Sequence, residues 1–258
     1  MTRQAPIDRD VARHPPGLWQ RIEITPLPGV VVARLEDDAD RFWLRLAHDG
    51  ERIVDAVART ERIPWSTCPG AAPLLAEQLV GRALAAVRLF DPMIHCTHLY
   101  DLAVLAVAQV GGDRVAYDLH VADRVHGRTT AMLAKDDHIV TRWLLDGTIL
   151  CEPDAWAGRD LKHLSQWRGS LSPDEAKHAA MLRRAVMVSG VRRSSQTVDR
   201  HDDMPIPSRA GACFTYQPSQ MARARRSSDW IRDFTASSDT PLGDLCHFPL
   251  LASNGPVA

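Results

Sequence analysis

Between residues 18 and 63, apolar and polar positions alternate with a period of two, the pattern of half-buried strands. Residues 19–25 and 30–36 alternate cleanly. Residues 42–46 and 53–58 flank His48-Asp49-Gly50, a turn that reads as a hairpin. The period then lengthens. Helical runs over 71–84 and 102–110 follow Cys68 and Cys96, and Gly111-Gly112 closes the second. A second strand-rich block opens at Arg114. Residues 115–121 alternate, 129–133 continue the block, 139–145 lead to an Asp146-Gly147 turn, and 148–151 end it. Ser172 caps a further helix with Pro173 in its first turn, running to about Val188 and stopping near Gly190. Pro218 opens a short basic helix over 219–230, and no internal repeat has a fixed period.

These elements predict an α+β chain: an antiparallel meander sheet packed by helices and extended by a second strand-rich half. The helix carrying Arg183 and Arg184 is expected to lie against that second half. The divisions are a flexible N-terminus (1–14), a first α+β half (15–112), a second strand–helix half completing a pocket (113–235) and a loose tail (236–258).

Composition narrows the function class. With 258 residues, 45% hydrophobic and 24% charged, the chain reads as an ordinary globular protein with a sizeable core. The formal net charge of −1 gives no reason to expect a nucleic-acid or membrane partner. Basic runs such as Arg223-Ala224-Arg225-Arg226 and Arg192-Arg193 read as solvated faces. Residues 1–13 lack the apolar core of a secretory signal, and five widely spaced cysteines do not make a disulfide framework. Reduced thiols in a cytoplasmic protein are therefore expected.

The chemistry-bearing residues concentrate in Ile94-His95-Cys96-Thr97-His98-Leu99-Tyr100-Asp101. Cys96 and, upstream, Cys68 each stand at a helix start, where the helix dipole favours a thiolate. Two thiols and two imidazoles near two helix N-termini can make a metal site, a reactive thiol centre or a set of buried polar residues. Sulfur, nitrogen and oxygen ligands would suit one Zn or Fe ion. Asp101, three residues beyond His98, is placed to orient it. In the second half, Asp118 and His120 share one strand face and could act as base and orienter, while Tyr117 points the other way. Tyr100, Tyr117 and Trp143 are candidate substrate-binding residues, with Trp156 and Trp167 as further apolar lining or core. His201-Asp202-Asp203 has a metal-like composition in a Pro-bounded loop. The chain has no Gly-rich phosphate loop, Gly-x-Ser-x-Gly elbow, His-Glu-x-x-His or Cys-x-x-Cys, so no nucleotide cofactor is expected.

Several of these residues also carry a family resemblance. Trp43-Leu44-Arg45-Leu46, Ile53-Val54-Asp55-Ala56, Pro64, Cys68-Pro69, Leu79-Val80-Gly81 and Cys96-Thr97-His98-Leu99 occur in an order that resembles the bacterial domain-of-unknown-function family 2889. The match covers about residues 18–112. Tyr216-Gln217-Pro218 and Arg232-Asp233-Phe234 resemble longer members of that group. More weakly, the same half is similar to the IscU/NifU-type iron–sulfur scaffold. Cys68 falls on that scaffold's middle cysteine and His95-Cys96 on its last His-Cys pair, while its Cys-Gly-Asp loop is Asp37-Asp38-Ala39-Asp40 here. The resemblance implies that Cys68, Cys96 and His98, with Asp40 or His95, surround one pocket that could hold a metal.

Two functions follow as expectations. One is an enzyme of small-molecule catabolism, a metal-assisted or acid–base lyase or hydrolase acting on an apolar or aromatic substrate. His98, or His120 with Asp118, would move the proton. The alternative is a metal- or sulfur-carrying assembly protein using the Cys68 and Cys96 thiolates. An enzyme should keep a partly apolar pocket over the thiols, whereas a carrier should present them on an exposed edge.

Overall fold

The computed structural model describes residues 16–197, 209–228, 230–235 and 239–243. The N-terminal segment 1–14, the His201-Asp202-Asp203 loop and most of the tail 236–258 lie outside these residues, as do the side chains of Arg192 and Arg193. Eight antiparallel strands form one sheet: β1 Gly17–Leu27, β2 Val30–Asp37, β3 Arg41–His48, β4 Ile53–Arg62, β5 Val115–Ala122, β6 Arg128–Lys135, β7 His138–Asp146 and β8 Ile149–Glu152. Their order is β4-β3-β2-β1-β5-β6-β7-β8, so two four-stranded meanders meet at β1 and β5. The fold is α+β with an antiparallel meander sheet, as the alternation predicts.

The helices are α1 Ala71–Leu79, α2 Thr97–Ala108, α3 Leu164–Trp167, α4 Pro173–Thr197 and α5 Pro218–Met221. Their bounds depart from the sequence reading for local reasons. Helix α1 stops at Leu79 because Val80 is extended and Gly81 turns the chain at φ +81°, a region that glycine enters without a Cβ clash. A 3-10 helix, Leu84–Leu89, takes up the rest of that run. Helix α2 begins at Thr97, five residues before the apolar run, with Cys96 as its N-cap. The basic helix expected over 219–230 shrinks to the single turn of α5. Helix α4 continues through Gly190 to Thr197. Its start is a capping box: Glu175 N donates to Ser172 Oγ at 3.3 Å, and Ser172 N donates to the Glu175 carboxylate at 2.9 Å.

Strand alternation decides which face is covered. In β1, Leu18, Ile22 and Ile24 are buried on one face, while Trp19, Arg21 and Glu23 point to the other and are part-buried. Across the seam Ile22 stands opposite Tyr117, and Arg21 stands opposite Asp118. Helices α2 and α4 pack on the Ile22 face, α2 against β1 to β3 and α4 against β1 and β5 to β7. One core runs beneath both, from Phe42, Leu44 and Leu46 through Leu99 and Leu102 to Leu119, Leu133 and Leu182. Each fully buried Leu there contributes about 1.5–3 kcal/mol.

Candidate functional site

The site grows from the three-residue connection between β2 and β3. Strand β2 ends at Asp37, whose side chain folds over its own turn. Its Oδ1 accepts from Ala39 N and Asp40 N, both at 2.8 Å, and its Oδ2 accepts from buried Gln20 Nε2 at 2.9 Å. Such an Asx turn is a common way for aspartate to satisfy a tight bend. The acids of this run divide by direction. Glu36 and Asp38 hold other parts of the chain, whereas Asp37 and Asp40 meet His98 beside a cavity of about 430 Å³ that Asp38 also lines.

Glu36 is fully buried, 0% exposed, and meets Arg62 at 2.9 Å, Arg232 at 3.5 Å and Arg41 at 3.8 Å. Its second oxygen accepts from Leu242 N at 2.7 Å. Asp38 accepts from Trp19 N at 3.2 Å and Phe234 N at 3.1 Å. Arg62 also donates to the Asp37 carbonyl at 2.6 Å and the Asp38 carbonyl at 2.7 Å. Arg232, Phe234 and Leu242 are thereby tied to the back of the acidic loop.

Helix α2 delivers His98 to the front of that loop. The imidazole stacks on Phe42 with centroids 5.6 Å apart and lies between the two carboxylates. Nδ1 is 3.5 Å from Asp40 Oδ2, and Nε2 is 4.0 Å from Asp37 Oδ2. His98 is 7% exposed, and its Nε2 is buried without a hydrogen-bond partner. Burial holds the His98 pKa below its ordinary value, against the pull of Asp37. Burial, with Asp37 close by, pushes the Asp40 carboxyl well above the usual range, and Arg62 opposes this. The cavity's apolar walls come from Leu18, Phe42, Pro64, Trp65, Met187 and Val188. A cavity of this size and lining suits a small organic ligand.

Three thiols share the cavity: Cys68, Cys96 and Cys213. Cys68 Sγ contacts Thr215 Oγ1 at 3.3 Å. The thiolate expected from the helix dipole is disfavoured. Burial pushes the Cys68 thiol from 9.0 to about 12, while Cys96 and Cys213 are also raised, chiefly by burial. A rise of that size corresponds to about 4 kcal/mol, whereas a helix N-terminus offers about 0.3–1 kcal/mol, so desolvation wins.

The remaining sequence candidates go elsewhere. Among the described residues, Asp37, Asp40 and His98 are the one group of three potential ligands whose atoms lie within 4.8 Å of one another, and Cys68, Cys96 and His95 are not in it. His95 is 0% exposed, stacked between Phe90 and Tyr100, away from the cavity lining. Asp101 pairs with Arg184 at 2.8 Å rather than orienting His98 by a hydrogen bond. Asp118 and His120 do share a face, but it is the face opposite the helices. There Asp118 takes both its short bonds from Arg21, and His120 stacks on Trp19 at 4.3 Å. Neither lines the cavity. Tyr100 donates to the Arg88 carbonyl at 3.2 Å. Tyr117 is buried against His178, and Trp143 is fully buried against Trp156. None of the three lines the cavity. The sequence reading missed Asp37 and Cys213. The signal for Asp37 was its place at the end of a strand, two residues before an alanine in an otherwise acidic turn.

Comparison with family models, with curated proteins and with solved structures finds no match, so the chemistry of the site rests on its geometry. Among the described residues, no helix is long and apolar enough to cross a membrane.

Proposed function

We propose that this protein is a cytoplasmic enzyme of small-molecule catabolism, a lyase or hydrolase acting on an apolar or aromatic compound. The reaction takes place where the Asp37–Asp40–His98 cluster meets the apolar cavity. The observation that carries this reading is one imidazole between two carboxylates at the edge of a cavity of about 430 Å³ walled by Phe42, Trp65, Met187 and Val188. Apolar walls bind the body of a substrate, and a cluster of this kind acts on its oxygen-bearing end. It can do so by holding a proton for transfer or by holding a cation that polarises the oxygen. The carrier alternative needs thiolates on an exposed edge. Here the three thiols lie in the cavity with their protonated form favoured, which supports the enzyme reading instead.

The test is ligand binding followed by turnover. A panel of aromatic and alicyclic carbonyl and hydroxy compounds is titrated while Trp65 fluorescence is followed. Binding of at least one class is expected, lost in Val188→Trp, which fills the cavity, and retained in His98→Ala. Conversion of the bound compound should fail in His98→Ala. Identical binding by the wild type and Val188→Trp, or no binding of any apolar compound, would overturn the proposal.

A further inference from the structure

We infer that Asp37, Asp40 and His98 form the binding site of one divalent first-row cation, held by two carboxylate oxygens and one imidazole nitrogen. This rests on the reading above, that the cluster is the reacting end of the cavity, and chooses between its two chemistries.

The spacing fits an ion better than it fits hydrogen bonds. The contacts of 3.5 Å and 4.0 Å between the imidazole and the two carboxylates are at or beyond the limit of a hydrogen bond. Two ligands each about 2.0–2.2 Å from one ion stand about 3.0–3.5 Å apart at octahedral or tetrahedral angles. With one ligand atom taken from each of Asp37, Asp40 and His98, the three lie within 4.8 Å of one another, so the set closes by about an ångström around an ion.

A second observation is independent of the carboxylates. His98 Nε2 is buried and without a hydrogen-bond partner, in a residue 7% exposed. A buried imidazole nitrogen left unpaired costs free energy, and a cation facing it removes that cost. The surroundings also look prepared for a charge. Gln20 and two backbone N–H groups fix the Asp37 carboxylate in place. Such outer hydrogen bonds orient the ligands of metal sites. Arg62, the cation nearest behind the loop, is turned to Glu36 and to the Asp37 and Asp38 carbonyls, and Arg184 is paired with Asp101.

The donor set selects the ion. Two carboxylates and one imidazole suit Mn²⁺, Fe²⁺ or Zn²⁺ with open positions for water and substrate, and they do not suit a thiophilic ion such as Cu(I). The cysteines that prompt a metal reading from sequence are thus wall residues, and the ligands come from the acidic turn.

The test uses full-length protein stripped with a chelator, titrated with MnCl₂ and ZnCl₂ by calorimetry, with loss of the free Mn²⁺ electron paramagnetic resonance signal as a second readout. One cation per chain is expected. His98→Ala and Asp40→Asn should each weaken binding by more than the roughly tenfold expected of Gln20→Leu, which removes only an outer hydrogen bond. The double variant Cys68→Ser/Cys96→Ser should bind as the wild type does. Absence of saturable binding, or binding lost in the cysteine variant and kept in His98→Ala, overturns the inference. If apolar ligands still bind while no cation does, the cation inference alone has failed. If the cation binds and no apolar ligand does, it is the enzyme reading that has failed.

Discussion

Replacing Glu36 tests whether the acidic turn is held from behind. The carboxylate is 0% exposed and receives two short charge-assisted bonds, from Arg62 at 2.9 Å and from Leu242 N at 2.7 Å. Each such bond is worth about 1.5–3 kcal/mol, and breaking a buried pair by removing one partner costs about 3–5 kcal/mol. Glu36→Ala strands Arg62, only 15% exposed, beside Arg232 and Arg41 with their shared counter-charge gone. The expected loss is therefore about 3–5 kcal/mol, or a Tm lower by roughly 6–20 °C for a chain of this size. Glu36→Gln keeps the shape and one acceptor oxygen, so it should fall between the variant and the wild type. The assay is urea denaturation with unchanged m-value, paired with limited proteolysis of the segment from 230 to 242. Because Arg62 also grips the Asp37 and Asp38 carbonyls, the same variant should weaken Mn²⁺ binding. A loss under about 1 kcal/mol would mean the pair is no better than a surface ion pair, and the account of the loop would be wrong.

The other outcomes are simpler. A Cβ at Gly17 would sit 2.3 Å from the Val121 carbonyl and 2.6 Å from His120 Nε2, so Gly17→Ala should cost about 1–3 kcal/mol by thermal unfolding, and a neutral result would contradict the tight β1–β5 seam. Cys68, raised to about 12, should be alkylated by iodoacetamide at pH 8 far more slowly in the folded chain than in urea. Since its folded value is raised, the stability it contributes is intact below the ordinary 9.0 and is lost as pH climbs from there towards about 12, so a folded-state rate equal to the unfolded one would contradict the burial. Asp118→Asn and His120→Ala lie on the far face and should leave cation and ligand affinity unchanged by calorimetry, in contrast to His98→Ala.

The strands were legible because a half-buried sheet imposes its period of two on the chain. The seam was not, because Gly17 to Ile24 pair with residues about a hundred positions away and nothing local announces that partner. Alternation correctly put Asp118 and His120 on one face and Tyr117 on the other, yet it could not say which face the helices cover. Asp37 was overlooked because Asp37-Asp38-Ala39-Asp40 has the composition of a solvated turn. The partners that give it a role, Gln20 and His98, come from distant parts of the chain. For Cys68 and Cys96 the local dipole argument was sound in sign and too small in size once the thiols were out of water.

The two halves share one plan, four antiparallel strands followed by a helix laid on the same face, with β1 and β5 antiparallel between them, which gives the sheet a local two-fold. The chemistry does not follow that symmetry. The turn equivalent to the acidic loop holds Asp136 and Asp137 at φ 48° and 66°, with Asp136 spent on Ala116 N at 2.9 Å. The helix equivalent to α2 opens with the acids Asp174 and Glu175 and carries Lys177 beside His178 one turn on, so a built-in cation stands next to that imidazole. What the second half contributes instead is length. Helix α4 has 25 residues against 12 in α2, and the ten residues from Lys177 to Met187 carry it about 15 Å, enough to bring Met187 and Val188 over the first half's cavity. Specificity for the apolar part of a ligand should therefore reside in α4, and cation affinity in α2 and the acidic turn. Met187→Ala should enlarge the cavity and shift ligand preference towards bulkier compounds in the fluorescence titration, with Mn²⁺ affinity unchanged. A Met187→Ala variant that loses Mn²⁺ as His98→Ala does would show that the two functions are not divided between the halves in this way.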